Sequence, residues 1–483
     1  MDYITGGLTP SRVFKNFEDI SRIPRASGNE KQLSDYIKKF AEDLNLEVFQ
    51  DSHYNLIIKK AATNGRPDGC TLMLQAHIDM VAESTEDSEH DFEKDPINLI
   101  INGDILTAKD TTLGADNGIG VAYIMSILEA DDIIHPNLEC VLTTSEEFGL
   151  IGVNNMDLSS LKSKYVVNLD SEEDYCILTG CAGAVDSTIS LKKEYKPANT
   201  KNVALEINIR GLLGGHSGMD IVKQRGNANA IMGRLLSSIT HNFDLFYVNG
   251  GSKRNVIPRN AEAVISVSDK DLEKVVREIQ KSASKVQKEI YSVDPNLKVS
   301  LRRSAPADFK VFSNECKTKV VRLLNLIPNG VISMSTSLEG TVQTSTNFAV
   351  VRESNTRIDF VNMTRSSMKS EKELLKSKFL MLAETFGASI EFGAEYEAWE
   401  YNPNSKLEKL AVDVYEKIFS NKPEVTVMHC GLESGILLNK LDHKAEAISI
   451  GPNIFDVHSP DEYAEISSIK KIWNYIVYLL KTI

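Results

Sequence analysis

At 483 residues the chain can hold two domains or more, each with its own core. Its 42% hydrophobic and 25% charged content is ordinary for a globular protein, and a net charge of -13 argues against a nucleic-acid or anionic-membrane surface. No apolar run is long enough to span a membrane, Met1-Asp2-Tyr3-Ile4-Thr5 does not read as a secretory leader, and six scattered cysteines without a CxxC fit a cytoplasmic protein.

Residues 9–48 read as helical, with Val13, Phe14, Phe17 and Ile20 on one face, followed by Leu33, Ile37, Phe40 and Leu44. A strand is expected at 55–60. A stronger one at 71–75 follows the turn signature Arg66-Pro67-Asp68-Gly69 and runs into Ala76-His77-Ile78-Asp79. His77 and Asp79 are two apart, so in extended backbone they share a side. The run Thr112-Leu113-Gly114-Ala115-Asp116-Asn117-Gly118-Ile119-Gly120 is a tight loop opening an apolar helix over 121–130, with Asp116 near its amino end. It lacks the Gly-Lys-Ser/Thr of a phosphate loop and is not GxGxxG, which argues against a nucleotide site.

The buried strand at 138–142 gives way to Thr144-Ser145-Glu146-Glu147-Phe148-Gly149, and another at 164–169 ends at Asp170. Alone, an adjacent pair of glutamates is an acidic loop. Here strands alternate with helices, as in a mostly parallel sheet, and such sheets collect ligands at the carboxyl ends of their strands. His77, Asp79, Glu146, Glu147 and Asp170 all fall at such ends.

From about 186 the pattern changes to alternating strands and long amphipathic helices. The order asparagine-apolar, strand, long helix, strand occurs at Asn255 and again at Asn347, which reads as two related lobes. Past Tyr401 the α/β pattern returns, with His429 in a glycine-rich loop, His458 after a strand exit and a closing helix over 467–480. The fold class is therefore α/β: a mostly parallel-sheet domain over 1–185 and 395–483, interrupted by an α+β domain over 186–394.

Two histidines and several carboxylates without a thiol suit zinc or another borderline divalent ion, cobalt and manganese included. One ion needs three protein ligands and water. This set is large enough for two, about 3.5–4 Å apart and bridged by a carboxylate. Asp116, on its Gly-rich turn, is the natural bridge. His77 and His458 would each serve one ion, completed by Glu147 and Asp170. Asp79 is placed to hold the other nitrogen of His77. Glu146 is then free to take a proton from water and pass it to a leaving amine.

These runs, together with Gly214-Gly215-His216-Ser217-Gly218 and His458-Ser459-Pro460, resemble in composition and order the Xaa-His dipeptidase subgroup of the co-catalytic zinc peptidases, the family that includes aminoacylase and carboxypeptidase G. The resemblance covers nearly the whole chain. It implies zinc ligands at His77, Asp116, Glu147, Asp170 and His458, an orienting Asp79, a general base at Glu146 and a cis peptide between Asp116 and Asn117. It also implies that the inserted domain is a lid, on which His216 polarises the scissile carbonyl. Asn255 and Arg365 would contact the carbonyl oxygen and the terminal carboxylate, with His429 a further pocket residue. Ala76 and Ile151 depart from the common glycine and glutamate of relatives, but neither is a ligand position.

The expected activity is that of a cytosolic dizinc dipeptidase acting on short peptides, Xaa-His dipeptides among them, as a monomer or homodimer with neither nucleic-acid nor membrane partners. An amidohydrolase acting on N-acyl amino acids would use the same metals. A peptide-binding protein without catalysis is the other alternative, and an intact Glu146 with a full ligand set speaks against it.

Overall fold

The computed structural model describes residues 3–63, 70–304, 310–441 and 445–483; the turn signature at 66–69 lies outside them. The chain divides into two compact units. The first is Met1–Cys181, Tyr401–Val427 and Leu432–Ile483, and the second is Ala182–Glu400 with Met428–Gly431.

The first unit is built on an eight-stranded sheet among the described residues. Its order is Glu47–Gln50, Leu56–Lys60, Asn137–Thr143, Thr71–His77, Tyr165–Asn168, Glu446–Ser449, Cys176–Cys181, Glu424–Met428. The four central strands, 137–143, 71–77, 165–168 and 446–449, run parallel, so their carboxyl ends share one edge. Their side chains are buried almost throughout, which is why they read as continuous apolar runs rather than alternating ones. The helix Ala115–Glu129 is apolar on every side and is enclosed accordingly. A small four-stranded sheet, in the order Ile454–Phe455, Tyr463–Glu465, Ile105–Ala108, Leu99–Asn102, joins the segments flanking His458 to the one leading into the Asp116 loop.

Residues 9–48 do not form the continuous helical region read from the sequence. They divide into the helices Ser11–Ser21 and Lys31–Asp43 and end in the strand Glu47–Gln50. Pro24 biases Ile23 away from helical backbone, and the terminal strand forms because it can pair antiparallel with Leu56–Lys60, a partner no local pattern announces.

In the second unit the described residues form a nine-stranded sheet. Eight strands follow one path: Lys298–Ser304, Asn202–Arg210, Ala261–Ser268, Phe243–Gly250, Val342–Glu353, Arg357–Ser366, Gly183–Lys192, Ser389–Tyr396. The two lobes are two halves of this sheet, meeting where Gly250 pairs with Val351. Each half carries one long helix between its last two strands in sequence, Asp269–Ile290 and Lys369–Phe386. The first buries Leu272, Val275, Ile279, Ala283 and Val286, one stripe at helical spacing. No helix among the described residues is long and apolar enough to cross a membrane.

Candidate active site

The carboxyl edge of the first sheet brings seven predicted residues together. His77 is the last residue of its strand, Glu146 and Glu147 follow the strand ending at Thr143, and Asp170 follows the one ending at Asn168. Asp116 enters from the amino end of the Ala115–Glu129 helix and is followed by a cis Asp116-Asn117 peptide. His458 arrives on the loop between Ile454–Phe455 and Tyr463–Glu465, with a left-handed φ of 61°.

Asp116 stands at the middle. Its Oδ1 is 3.0 Å from His77 Nε2 and its Oδ2 is 3.1 Å from His458 Nε2. Asp170 Oδ1 lies 3.4 Å from His77 Nε2, and Glu147 Oε1 lies 2.9 Å from His458 Nε2. Two groups with metal-ligand spacing therefore share Asp116, one with His77 and Asp170 and one with Glu147 and His458; a third joins His77 to Glu146 and Glu147. The His77 side chain is 1% exposed and that of His458 46%, so solvent reaches this cluster from the His458 side.

Asp79 supports both sides of the arrangement. Its Oδ1 lies 3.4 Å from His77 Nδ1 and accepts the Glu146 N–H at 3.1 Å, while Oδ2 accepts the Glu147 N–H at 3.3 Å and the Ser27 hydroxyl at 2.7 Å. Glu30 accepts the Ser145 N–H at 2.9 Å and so ties down the loop that carries the two glutamates.

The electrostatics are those of a crowded acidic pocket. Burial pushes the Glu146 carboxyl well above its usual range, and the charges of Asp170 and Glu147 add to this against the opposing pull of His77. Asp170 is raised to about 6, mainly by burial. Burial also carries Glu172 up to about 8, with the Asp116 and Asp170 charges contributing. Burial alone would lower the two histidines, but their carboxylate partners prevail: His77 is held well above its ordinary value, and His458 is raised to about 11. Asp116 is lowered, as its hydrogen bonds to both histidines outweigh burial.

Sequence reading missed Ser27, Glu30 and a polar layer beneath the ligands. There, buried Glu433 Oε2 accepts from the Thr143 hydroxyl at 2.6 Å and from Gln75 Nε2, and Gln75 Oε1 accepts from Asn168 Nδ2 at 2.5 Å. Burial pushes Glu433 up to about 8. No local pattern signals this layer, because its members come from three strand ends and from the start of the helix Glu433–Lys440, far apart in sequence.

The second unit gathers the other four predicted residues. His216 sits on the short strand Gly215–His216, paired with Val256–Ile257, which places Asn255 beside it; the Asn255 carbonyl accepts the Ser217 N–H at 2.9 Å. The backbone N–H groups of Gly218 and Met219 both donate to His216 Nδ1 at 3.3 Å. The neutral ring therefore carries its proton on Nε2. Burial and the nearby Arg365 charge lower His216 to about 4, which keeps it neutral. Arg365 is buried, with Nη1 donating to the Tyr396 hydroxyl at 2.9 Å and Nε to the Ser217 hydroxyl at 3.4 Å. His429 belongs to this unit through the 428–431 segment, and its Nε2 is 2.7 Å from the Ser345 hydroxyl, on the residue paired with Arg365. Burial, reinforced by Arg365, lowers His429 to about 3.

Comparison with known proteins places this geometry in context. Residues 207–292 match the family model of a peptidase dimerisation domain, M20_dimer. The chain is 35% identical over 480 residues to the cytosol non-specific dipeptidase of Escherichia coli, covering 99% of this chain and 98% of that protein. It superposes on the crystal structure of an aminoacylhistidine dipeptidase from Vibrio alginolyticus with a TM-score of 0.93 and 34% identity, covering 99% and 98% of the two chains. A tripeptidase from Staphylococcus aureus, at TM-score 0.55 and 14% identity over 98% of both chains, shares the fold.

Proposed function

We propose that this chain, which belongs to the M20 metallopeptidase family, is a cytoplasmic dipeptidase that hydrolyses short peptides, Xaa-His dipeptides among them, using two zinc ions. The observation that carries this reading is Asp116, whose two oxygens face His77 and His458 on opposite sides. His77 and Asp170 would hold one ion, and Glu147 and His458 the other. The donor set fits: two imidazoles, carboxylates on both sides and no thiol suit zinc, and cobalt or manganese could replace it.

Bound ions supply the Lewis acidity that polarises a carbonyl and acidifies water. Glu146 takes the proton from the attacking water and delivers it to the leaving amine nitrogen. Its enclosed position, which favours the protonated carboxyl, suits it to carry that proton between the two steps. Asp79 keeps the His77 ring and the Glu146 backbone in fixed relation. His216, with its proton on Nε2, would donate to the scissile carbonyl oxygen as negative charge develops, assisted by Asn255. Arg365 would bind the substrate's terminal carboxylate in two-point fashion, with His429 lining the same subsite. A homodimer is consistent with the dimerisation-domain match.

The test is hydrolysis of a dipeptide panel, including Xaa-His members, beside N-acetyl amino acids, with and without chelator and added zinc, cobalt or manganese. Chelator-sensitive cleavage of dipeptides is expected. Cleavage of N-acetyl amino acids alone would assign the site to a deacylase, and absence of any cleavage from metal-loaded protein would contradict an enzyme.

A further inference from the structure

Two buried side chains of opposite charge have no part in the chemistry so far. Arg25 and Glu462 are each 2% exposed. Arg25 Nη1 donates to the carbonyls of Ile78 and Asp79, both at 3.1 Å, on the segment leaving His77, and Nη2 donates to the carbonyl of Gly114. Glu462 approaches the same loop from its amide side. Its Oε2 accepts the N–H of Leu113 at 2.8 Å and of Gly114 at 2.9 Å, and its Oε1 accepts the N–H of Ala115 at 2.8 Å and, at 3.4 Å, of Asp116. The residue Gly114 is thus gripped through its carbonyl by a cation and through its N–H by an anion.

The glycines of this loop gain a reason. A Cβ at Gly114, where φ is 69°, would stand 2.4 Å from Arg25 Nη2, and one at Gly118 would stand 2.6 Å from the same atom. Both positions are kept bare to admit the guanidinium. An ordinary helix cap comes from a residue next to the helix in sequence. Glu462 comes instead from the loop that presents His458, four residues earlier, and that loop is tied to the Asp116 approach by the pairing of Thr107 with Tyr463. Three ligand-bearing segments, those of His77, Asp116 and His458, are therefore joined through Arg25 and Glu462 at Gly114.

We propose that Arg25 and Glu462 are positioning residues: by gripping Gly114 through its carbonyl and its N–H they hold Asp116 between His77 and His458 and so fix the spacing of the two metal sites. The inference rests on the reading of Asp116 as the shared ligand. Neither residue touches an ion or the substrate. Outer partners of this kind are worth about 10–100-fold in metal affinity.

The experiment uses the full chain, stripped with chelator and titrated with cobalt. Calorimetry reads stoichiometry and affinity, the cobalt visible spectrum reads coordination geometry, and thermal unfolding of the stripped protein reads stability. The variants are E462Q, E462D, R25K and D116N. E139Q is the control, because buried Glu139 likewise accepts backbone N–H groups, from Lys162 and Ser163, but at the amino ends of the strands, away from the ligands. In E462Q the amide nitrogen meets backbone donors, and in R25K a point charge replaces the planar fork. Both should bind the second cobalt about 10–100-fold more weakly than the parent, with an altered spectrum, and E462D should recover part of the loss. E139Q should bind as the parent does even where it unfolds at a similarly lowered temperature. If E462Q does not fold, R25K and E462D carry the comparison. Parent-like cobalt affinity and spectrum in R25K and in the folded Glu462 variants would overturn the proposal, whatever their stability. If D116N also takes up two ions like the parent, the shared-ligand reading falls with it; if D116N loses them while the clamp variants do not, only the clamp falls.

Discussion

Asp79→Asn is an almost isosteric change with consequences on two sides of the centre. The carboxylate now meets the His77 ring, two backbone N–H groups and the Ser27 hydroxyl, from contacts of 2.7–3.4 Å. The amide keeps one oxygen. Whichever way it is oriented, its NH2 faces at least one donor that the carboxylate had satisfied, in a site with no access to water. A buried donor left unpaired costs about 1–3 kcal/mol. Loss of the negative charge behind His77 also weakens that imidazole as a ligand, for which comparable outer-partner changes cost about 10–100-fold, or roughly 1.4–2.8 kcal/mol. The variant should therefore bind zinc at least tenfold more weakly, measured by competition with a chromophoric chelator. With metal supplied in excess, kcat should still be lowered, because the Glu146 backbone has lost its anchor. Ser27→Ala, which removes a single hydrogen bond, should cost less, about 1 kcal/mol. An Asp79→Asn protein with parental zinc affinity and parental kcat would refute this reasoning.

Glu146→Gln should retain its metals while kcat collapses, since only proton transfer is removed; metal analysis with steady-state kinetics checks this, and loss of metal would mean that Glu146 and Glu147 have exchanged roles. His216→Ala should lower kcat about 10²–10³-fold with metals retained, and Arg365→Ala should mainly raise KM. A carboxyl-amidated dipeptide should be a poor substrate for the parent and lose less on the Arg365 change. For metal-free protein the pH dependence has a definite sign. His458 is raised from 6.5 to about 11, so its contribution to stability is fully present below about pH 6.5 and is lost as pH rises toward 11. Thermal unfolding of chelated protein across that range should show the decline, and zinc binding below it should release protons.

The sequence made the catalytic sheet readable because its central strands are buried on both faces and three of the four lead into ligand-type residues, so chemistry and fold were signalled at the same positions. The second unit was readable as an insertion from its amphipathic helices, including the 3–4 spacing of Leu272, Val275, Ile279, Ala283 and Val286. That its two lobes share a single sheet was not, since the junction depends on Gly250 meeting Val351, about a hundred residues away. Residues 47 and 48, read as the end of the helical stretch, were misassigned because a short strand is decided by its partner rather than by its own pattern. Among site residues, the motifs identified those at strand ends. Arg25, Glu433 and Glu462 escaped because each acts across the fold, on backbone or side chains no neighbouring residue could indicate: Glu433 lies 358 positions from Gln75, and Glu462 lies 348 from Gly114.

Anomalous diffraction from crystals grown with zinc tests the central claim most directly. The account predicts two peaks about 3.5–4 Å apart, one on each side of Asp116, the first against His77 and Asp170 and the second against Glu147 and His458. A single peak, or two peaks that do not share Asp116, would contradict it.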